Sequence, residues 1–169
     1  MSRAVNRWLV TTALAGLVAA LPCAASDAAR PAPQFALPSL KDGSTVQLAE
    51  YRGRVVLVDF WASWCSPCLQ SMPAYNGLAA RFADRGFQIL AISVDEKSES
   101  ARAFVEKHPV RYVVLSDPHG EVAAAYDIKG MPSSFLVDGQ GRIRQVHVGF
   151  KPDDIRVLDR QITQLLEER

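Results

Sequence analysis

Two cysteines stand at a spacing that can do redox chemistry, in Trp64-Cys65-Ser66-Pro67-Cys68. Placed three apart, their sulfurs can close a small disulfide loop. At the start of a helix the first thiol meets unpaired backbone N–H groups and the positive end of the helix dipole. Such surroundings lower a cysteine pKa from about 8.5 to roughly 3.5–7.5. The thiolate is the attacking species in disulfide exchange. On this reading Cys65 is the exposed nucleophile and Cys68 the buried resolving thiol. Three other uses of paired cysteines compete. Zinc wants four ligands, usually from two separated pairs, and here there is no second C-x-x-C while His108, His119 and His147 are scattered. Cu(I) suits paired thiolates, but no histidine or methionine cluster completes such a site. A purely structural disulfide gains little stability from closing so short a loop.

The elements around this pair are legible in outline. Residues 54–60 (RVVLVDF) form a nearly continuous apolar run, as in a strand buried on both faces. Asp59 is the one polar residue inside it. A helix is expected over residues 65–85, with Leu69, Met72, Leu78 and Phe82 on its apolar face, Pro73 as a kink and Gly86 as its stop. Residues 87–94 read as a second buried strand, 98–108 as a short helix closed by Pro109, and 112–115 as a third strand. Asp117-Pro118 opens a helix expected to reach Tyr126. Residues 134–137 and 143–148 read as strands joined by Asp138-Gly139-Gln140-Gly141. A last helix follows Lys151-Pro152-Asp153-Asp154, with Ile155, Leu158, Ile162, Leu165 and Leu166 facing the sheet. Upstream, Lys41-Asp42-Gly43 between short apolar segments signals a hairpin. Alternating strands and helices imply an α/β fold, a mixed central sheet flanked by helices, parallel at the crossovers and antiparallel at the closing hairpin.

The chain has 169 residues and a net charge of +1, with 22% charged and 49% hydrophobic residues. That suits one domain with a real core, gives no basic excess for nucleic acid, and argues against wholesale disorder. Three cysteines are far too few for a disulfide scaffold. Arg3 and Arg7 precede the apolar stretch 8–21, and Pro22 is followed by the small residues Ala24, Ala25 and Ser26. A basic start, a short apolar stretch and a small-residue exit describe a secretory signal peptide over residues 1–26, with an uncleaved anchor as the alternative. A lipoprotein at Cys23 fits poorly, because Pro22 stands where a small residue is normal. Removing residues 1–26 takes away two arginines, no acids and Cys23, leaving a net charge of −1. Residues 27–33 read as an extended linker and 34–169 as a single domain. Export implies a periplasm-like compartment, where disulfide chemistry is open.

At this point the sequence resembles the thioredoxin superfamily. Val58-Asp59-Phe60-Trp61-Ala62-Ser63-Trp64-Cys65-Ser66-Pro67-Cys68 is similar, almost position by position, to that family's active-site segment. Among its members the chain looks most like the exported TlpA/ResA-like thiol-disulfide oxidoreductases. Those share the N-terminal hairpin, here residues 35–51, and an extra α/β insertion, here residues 98–115. The resemblance implies a thioredoxin-like fold. It implies that Asp59 is the buried acid beneath the disulfide, able to take the Cys68 proton, with a pKa raised by burial. Pro132, in Gly130-Met131-Pro132-Ser133, matches the family's cis-proline, which would leave the Met131 backbone free to pair with an extended substrate segment. Trp64, Ser66, Pro67, Met131, Pro132 and Gly149 form the implied docking surface, and Trp61 belongs to the core. One departure concerns Ser71, which stands where many cytochrome c maturation members carry a glutamate. That weakens a specific tie to cytochrome c biogenesis and leaves the general redox chemistry untouched.

The expected function is therefore that of an exported thiol-disulfide oxidoreductase, reducing disulfides of extracytoplasmic proteins. No cofactor is expected beyond the redox-active disulfide Cys65–Cys68, and no metal. Expected partners are disulfide-containing exported proteins and a membrane thiol reductant such as a DsbD-like protein, not nucleic acid, with the chain acting as a monomer. A Cu(I)-binding chaperone or copper-site assembly factor is the alternative from another class. A thiol peroxidase is a third reading, because the hairpin also looks like that of the peroxiredoxins. Their P-x-x-x-T-x-x-C pattern fails here, where Val58 and Ala62 take the proline and threonine positions.

Overall fold

The computed structural model describes residues 30–168. The expected signal segment, Cys23 and the first part of the expected linker lie outside the described residues. Strand β1 is Arg30–Pro31, β2 Ala36–Pro38, β3 Thr45–Gln47, β4 Val55–Trp61, β5 Phe87–Ser93, β6 Val113–Ser116, β7 Ser133–Val137 and β8 Arg142–Val148. Helix α1 is Cys68–Phe82, α2 Ser98–Lys107, α3 Glu121–Ala125 and α4 Asp154–Glu167. Six strands form one sheet in the order β1-β8-β7-β4-β5-β6. The crossovers through α1 and α2 make β4, β5 and β6 parallel, while β7, β8 and β1 run antiparallel to their neighbours. Strands β2 and β3 pair separately, as the hairpin around Lys41-Asp42-Gly43.

The strand at the centre explains the layers. All seven residues of β4 are buried, and alternation sends them to opposite faces. Val56, Val58 and Phe60 point to the side of Phe35, Leu37 and Leu48 from the hairpin region and Tyr126 from the end of α3. Val55 and Leu57 point to the other side, against Tyr75 and Leu78 of α1 and Leu158 and Ile162 of α4. Trp61, two residues past Asp59 on that same face, packs with Cys65, Cys68, Met72 and Phe104. Helices α1, α2 and α4 thus cover one face, and the hairpin and α3 cover the other.

Three boundaries differ from the sequence expectation. The linker expected over residues 27–33 does not hold for its second half. Arg30 and Pro31 pair with Ile143 and Arg142 of β8, and Ala32 is buried and donates its N–H to the Gly141 carbonyl at 2.9 Å. A proline is tolerated there because β1 is an edge strand. Helix α1 starts at Cys68 instead of Cys65. Pro67 has no N–H to give, and Cys68 and Leu69 donate to Cys65 and Ser66 in three-residue turns before helical bonding begins. Helix α3 starts at Glu121, four residues after Asp117. Asp117-Pro118-His119-Gly120 forms a turn, Gly120 takes the left-handed conformation (φ 67°), and the Asp117 carboxylate reaches forward to cap the helix. It accepts from the Glu121 N–H at 3.1 Å and the Ala123 N–H at 2.9 Å.

Candidate active site

The turn between β4 and α1 carries the sulfurs. Cys65 donates its N–H to the Ala62 carbonyl and accepts from the Cys68 N–H, each at 3.1 Å, which folds the two cysteines toward one another. They are joined as a disulfide with Cα atoms 5.3 Å apart. The second sulfur belongs to the first residue of α1, so the pair sits at that helix's positive end. The turn is tied down from a strand end. Asp95, just past β5, accepts from the Ser63 N–H at 3.0 Å and the Ser63 hydroxyl at 2.7 Å. Ser93 donates a third bond to the same carboxylate at 2.8 Å.

Of the two sulfur-bearing residues Cys65 is the more exposed, as expected, but only slightly. Cys65 is 4% exposed and Cys68 is wholly buried. The expectation of an exposed Cys65 is therefore corrected: it belongs to a buried cluster with Trp61, Ala62, Cys68 and Met72. The exposed groups are its neighbours. Ser66 and Pro67 face solvent, Trp64 is 69% exposed and Leu69 on α1 is 44% exposed. Trp61 is fully buried, its ring 5.0 Å from that of Phe104.

The peptide bond Met131–Pro132 is cis. Met131 packs against the cluster that contains both cysteines. The Pro132 carbonyl accepts from the Gly149 N–H at 2.8 Å, which brings the end of β8 beside the proline. Gly149 has φ 79°, a left-handed conformation that glycine adopts without strain. Val148, directly before it, is 58% exposed. The fold therefore gathers Trp64, Ser66, Pro67, Met131, Pro132 and Gly149 from three separated segments toward the same end of the sheet.

Asp59 lies inside, completely buried, on the sheet face that carries the cysteines. Its register partners are Ala91, which packs with both cysteines, and Ser134 of β7. The Ser134 hydroxyl donates to Oδ1 of Asp59 at 2.7 Å, while Oδ2 accepts nothing. Burial pushes the Asp59 carboxyl from 3.8 up to about 7, with the Ser134 bond pulling the other way. Tyr75 of α1 has its hydroxyl 3.0 Å from Ser134 Oγ. Tyr112 donates to the Met72 carbonyl at 3.0 Å. Burial raises both phenols above their ordinary range, and the nearby Asp59 charge adds to the effect. Ser71 is buried, with its hydroxyl 3.4 Å from the Cys68 carbonyl, and offers no charge at that place.

Ser134, Tyr75 and Asp95 escape sequence reading. Asp95 carried a usable signal, as an acid at the end of a buried strand. Ser134 and Tyr75 meet Asp59 only through strand register and helix packing, which no local pattern encodes. Among the described residues no group of three or more histidines, cysteines or acids is placed to hold a metal ion.

Comparison with known proteins adds a family. The AhpC/TSA family pattern matches residues 28–146. Thiol-disulfide oxidoreductase ResA of Geobacillus kaustophilus is 36% identical over 118 residues, covering 70% of this chain and 67% of that protein. ResA of Bacillus thuringiensis subsp. konkukian is 32% identical over 114 residues, and the match spans 65% of that relative's length. Among solved structures, a chain provisionally named thiol:disulfide interchange protein DsbE, from Chlorobium tepidum, superposes with a TM-score of 0.79 at 43% identity. That match covers 82% of this chain and 96% of the other. A thioredoxin family thiol:disulfide interchange protein from Chlorobium tepidum TLS gives a TM-score of 0.72 at 28% identity, over 81% of this chain and 96% of that one.

Proposed function

Because the chain belongs to the AhpC/TSA family and has the thioredoxin-like fold, we propose that it is a thiol-disulfide oxidoreductase that reduces disulfides of exported proteins. The observation that carries the reading is the Cys65–Cys68 disulfide at the N-terminus of α1, on the same sheet face as a buried carboxylate with one unpartnered oxygen. The names of the ResA and DsbE relatives support the same chemistry.

The reaction runs in two exchanges. With the protein reduced, the Cys65 thiolate attacks one sulfur of a substrate disulfide, and the other substrate sulfur leaves as a thiolate. The mixed disulfide joins Cys65 to the substrate. Cys68 then gives its proton to Asp59, and its thiolate attacks Cys65 Sγ. The second substrate sulfur departs, so the substrate has gained two electrons and the protein is oxidised. Trp64 and the Met131 backbone hold the incoming segment in extended form beside the sulfurs. A periplasmic setting, reached through the segment 1–26 as a cleaved signal or a retained anchor, holds no thiol pool able to restore the dithiol. A membrane thiol reductant of DsbD-like kind supplies those electrons. Ser71 places no acid beside Cys68, so the proton chemistry falls to Asp59, and a cytochrome c apoprotein is one substrate among several of this class.

The test is the reduction potential of the Cys65–Cys68 pair, from free-thiol counts in glutathione or dithiothreitol buffers. A value near or below about −270 mV is expected. A value near about −120 mV would reverse the direction and make the protein an oxidant. An irreversible pair that instead holds Cu(I) against a strong chelator would replace the redox reading with a copper-carrying one.

A further inference from the structure

Asp59 is held by more than its own strand. Ser134 has a single hydroxyl proton, and it lies in the 2.7 Å bond to Oδ1 of Asp59. The contact between Tyr75 and Ser134, 3.0 Å between oxygens, must then be donated by Tyr75 when Asp59 is ionised. The three groups form a directed chain, from phenol to hydroxyl to carboxylate, drawn from α1, β7 and β4. Every member is buried to within 1% exposure. Such a chain polarises along its length and is worth most where water is absent. It ends on one oxygen of Asp59 and leaves Oδ2 without a partner. A buried carboxylate oxygen without a donor is costly when charged, so Oδ2 is where a proton is gained and lost.

We propose that Ser134 and Tyr75 are positioning residues for the thiol chemistry, a buried hydroxyl pair that fixes Oδ1 of Asp59 and leaves Oδ2 as the oxygen that exchanges a proton with Cys68. The proposal rests on the reading of Asp59 as the proton acceptor in the second exchange. Atoms balance simply. The Cys68 Sγ–H bond breaks, an Oδ2–H bond forms, and the Ser134 and Tyr75 protons stay where they are. Without the pair, the ionised carboxylate loses its one donor and becomes harder to form. The other titratable groups packed around it are Tyr112, ahead of β6, and the two cysteines of the turn, with Asp154 of α4 acting on Tyr75. Both phenols stay neutral over the working range, which leaves Asp59 and the thiols to set the pH response.

The experiment is single-turnover oxidation of the reduced full chain by a peptide disulfide, followed from pH 5 to 9 by tryptophan fluorescence. Carboxyl carbon NMR of Asp59 in the oxidised protein is read alongside it. Ser134→Ala should move both the rate profile and the carboxyl titration to higher pH. A lost hydrogen bond to a charged group amounts to about a tenfold change in the equilibrium, so the rate at pH 7 falls about fivefold and recovers by pH 9. Tyr75→Phe should move both the same way by a smaller factor, about twofold, and Ser134→Thr should restore the original profile. A Ser134→Ala protein slowed equally at every pH, with the titration in place, would show a merely structural role and overturn the proposal. Should that variant not fold, Tyr75→Phe decides, an unmoved profile overturning it. Asp59→Asn separates the two levels. If it slows turnover while Ser134→Ala and Tyr75→Phe move nothing, only the hydroxyl pair is refuted. If Asp59→Asn itself leaves rate and profile intact, the acceptor role falls and the pair falls with it.

Discussion

Trp64 holds a position that burial in the core does not explain. An indole at 69% exposure keeps a large apolar surface in water beside the disulfide. Leu69, one residue past Cys68, and Val148, directly before Gly149, are exposed as well. Trp64→Ala should therefore leave stability within about 0.5 kcal/mol, as surface changes do. It should lower kcat/KM on a protein disulfide about tenfold, as loss of a tryptophan anchor does, with little change on a small aliphatic disulfide. Urea unfolding and steady-state kinetics check the two halves. At this scale the sequence was informative where chemistry is local. Cys65 and Cys68 declare themselves by spacing, and Asp59 by being polar inside an apolar run. Ser134, Tyr75 and Asp95 do not, because what they do depends on which strand lies beside which. Cys65 is a further case, since its near-complete burial arises in a cluster with Trp61, Met72 and Phe104, residues from other elements of the chain.

At the scale of elements, the strands and helices were largely legible, and the discrepancies concern where they begin. Continuous apolar runs identify β4 and β5, and the 3.6-residue period identifies α4. The starts of α1 and α3 are not legible in the local pattern, because prolines and a distant cap decide them. Pro67 delays α1 to Cys68, and the Asp117 carboxylate acts across a four-residue turn. Arg30–Pro31 is not legible as a strand, because two residues with a proline carry no strand pattern and only the edge of β8 gives them a partner. The cap can be tested by itself. Asp117→Ala frees two buried-end N–H groups of α3 and should cost about 1–2 kcal/mol in urea unfolding. The Cys65–Cys68 potential should stay unchanged, because α3 packs on the opposite sheet face.

For the whole molecule, the buried carboxylate links stability to pH. The folded form holds Asp59 with a pKa of about 7, against an ordinary value of 3.8. Between those limits the folded state binds more protons than the unfolded one, so stability falls as pH rises through the window. The full difference corresponds to about 4 kcal/mol, reached above pH 7 and absent below pH 4. Asp59→Asn removes this titration. Its stability relative to the wild type should improve by about that amount between pH 4 and pH 8, measured by urea unfolding of the oxidised protein. A gap that stays constant across the window would mean that Asp59 has the same pKa in the folded and unfolded states, so that burial does not shift it. The domain thus gives up stability at neutral pH to keep an ionisable group in its interior, the behaviour expected of a site selected for chemistry and not for packing.

Strand β4 lies between β5 and β7 with every one of its seven residues buried. Backbone bonds on both edges mean that its amides meet deuterated solvent only when the entire domain opens. The turn at residues 62–67 is held by short-range bonds, by the Asp95 carboxylate and by the Cys65–Cys68 disulfide, and reduction removes the last of these, so its amides should exchange through smaller openings than those of β4. The two halves of the site therefore run on different clocks. The sulfurs should ride on backbone that reduction loosens toward a partner, while the carboxylate that receives their proton is mounted on a strand buried throughout and paired on both edges.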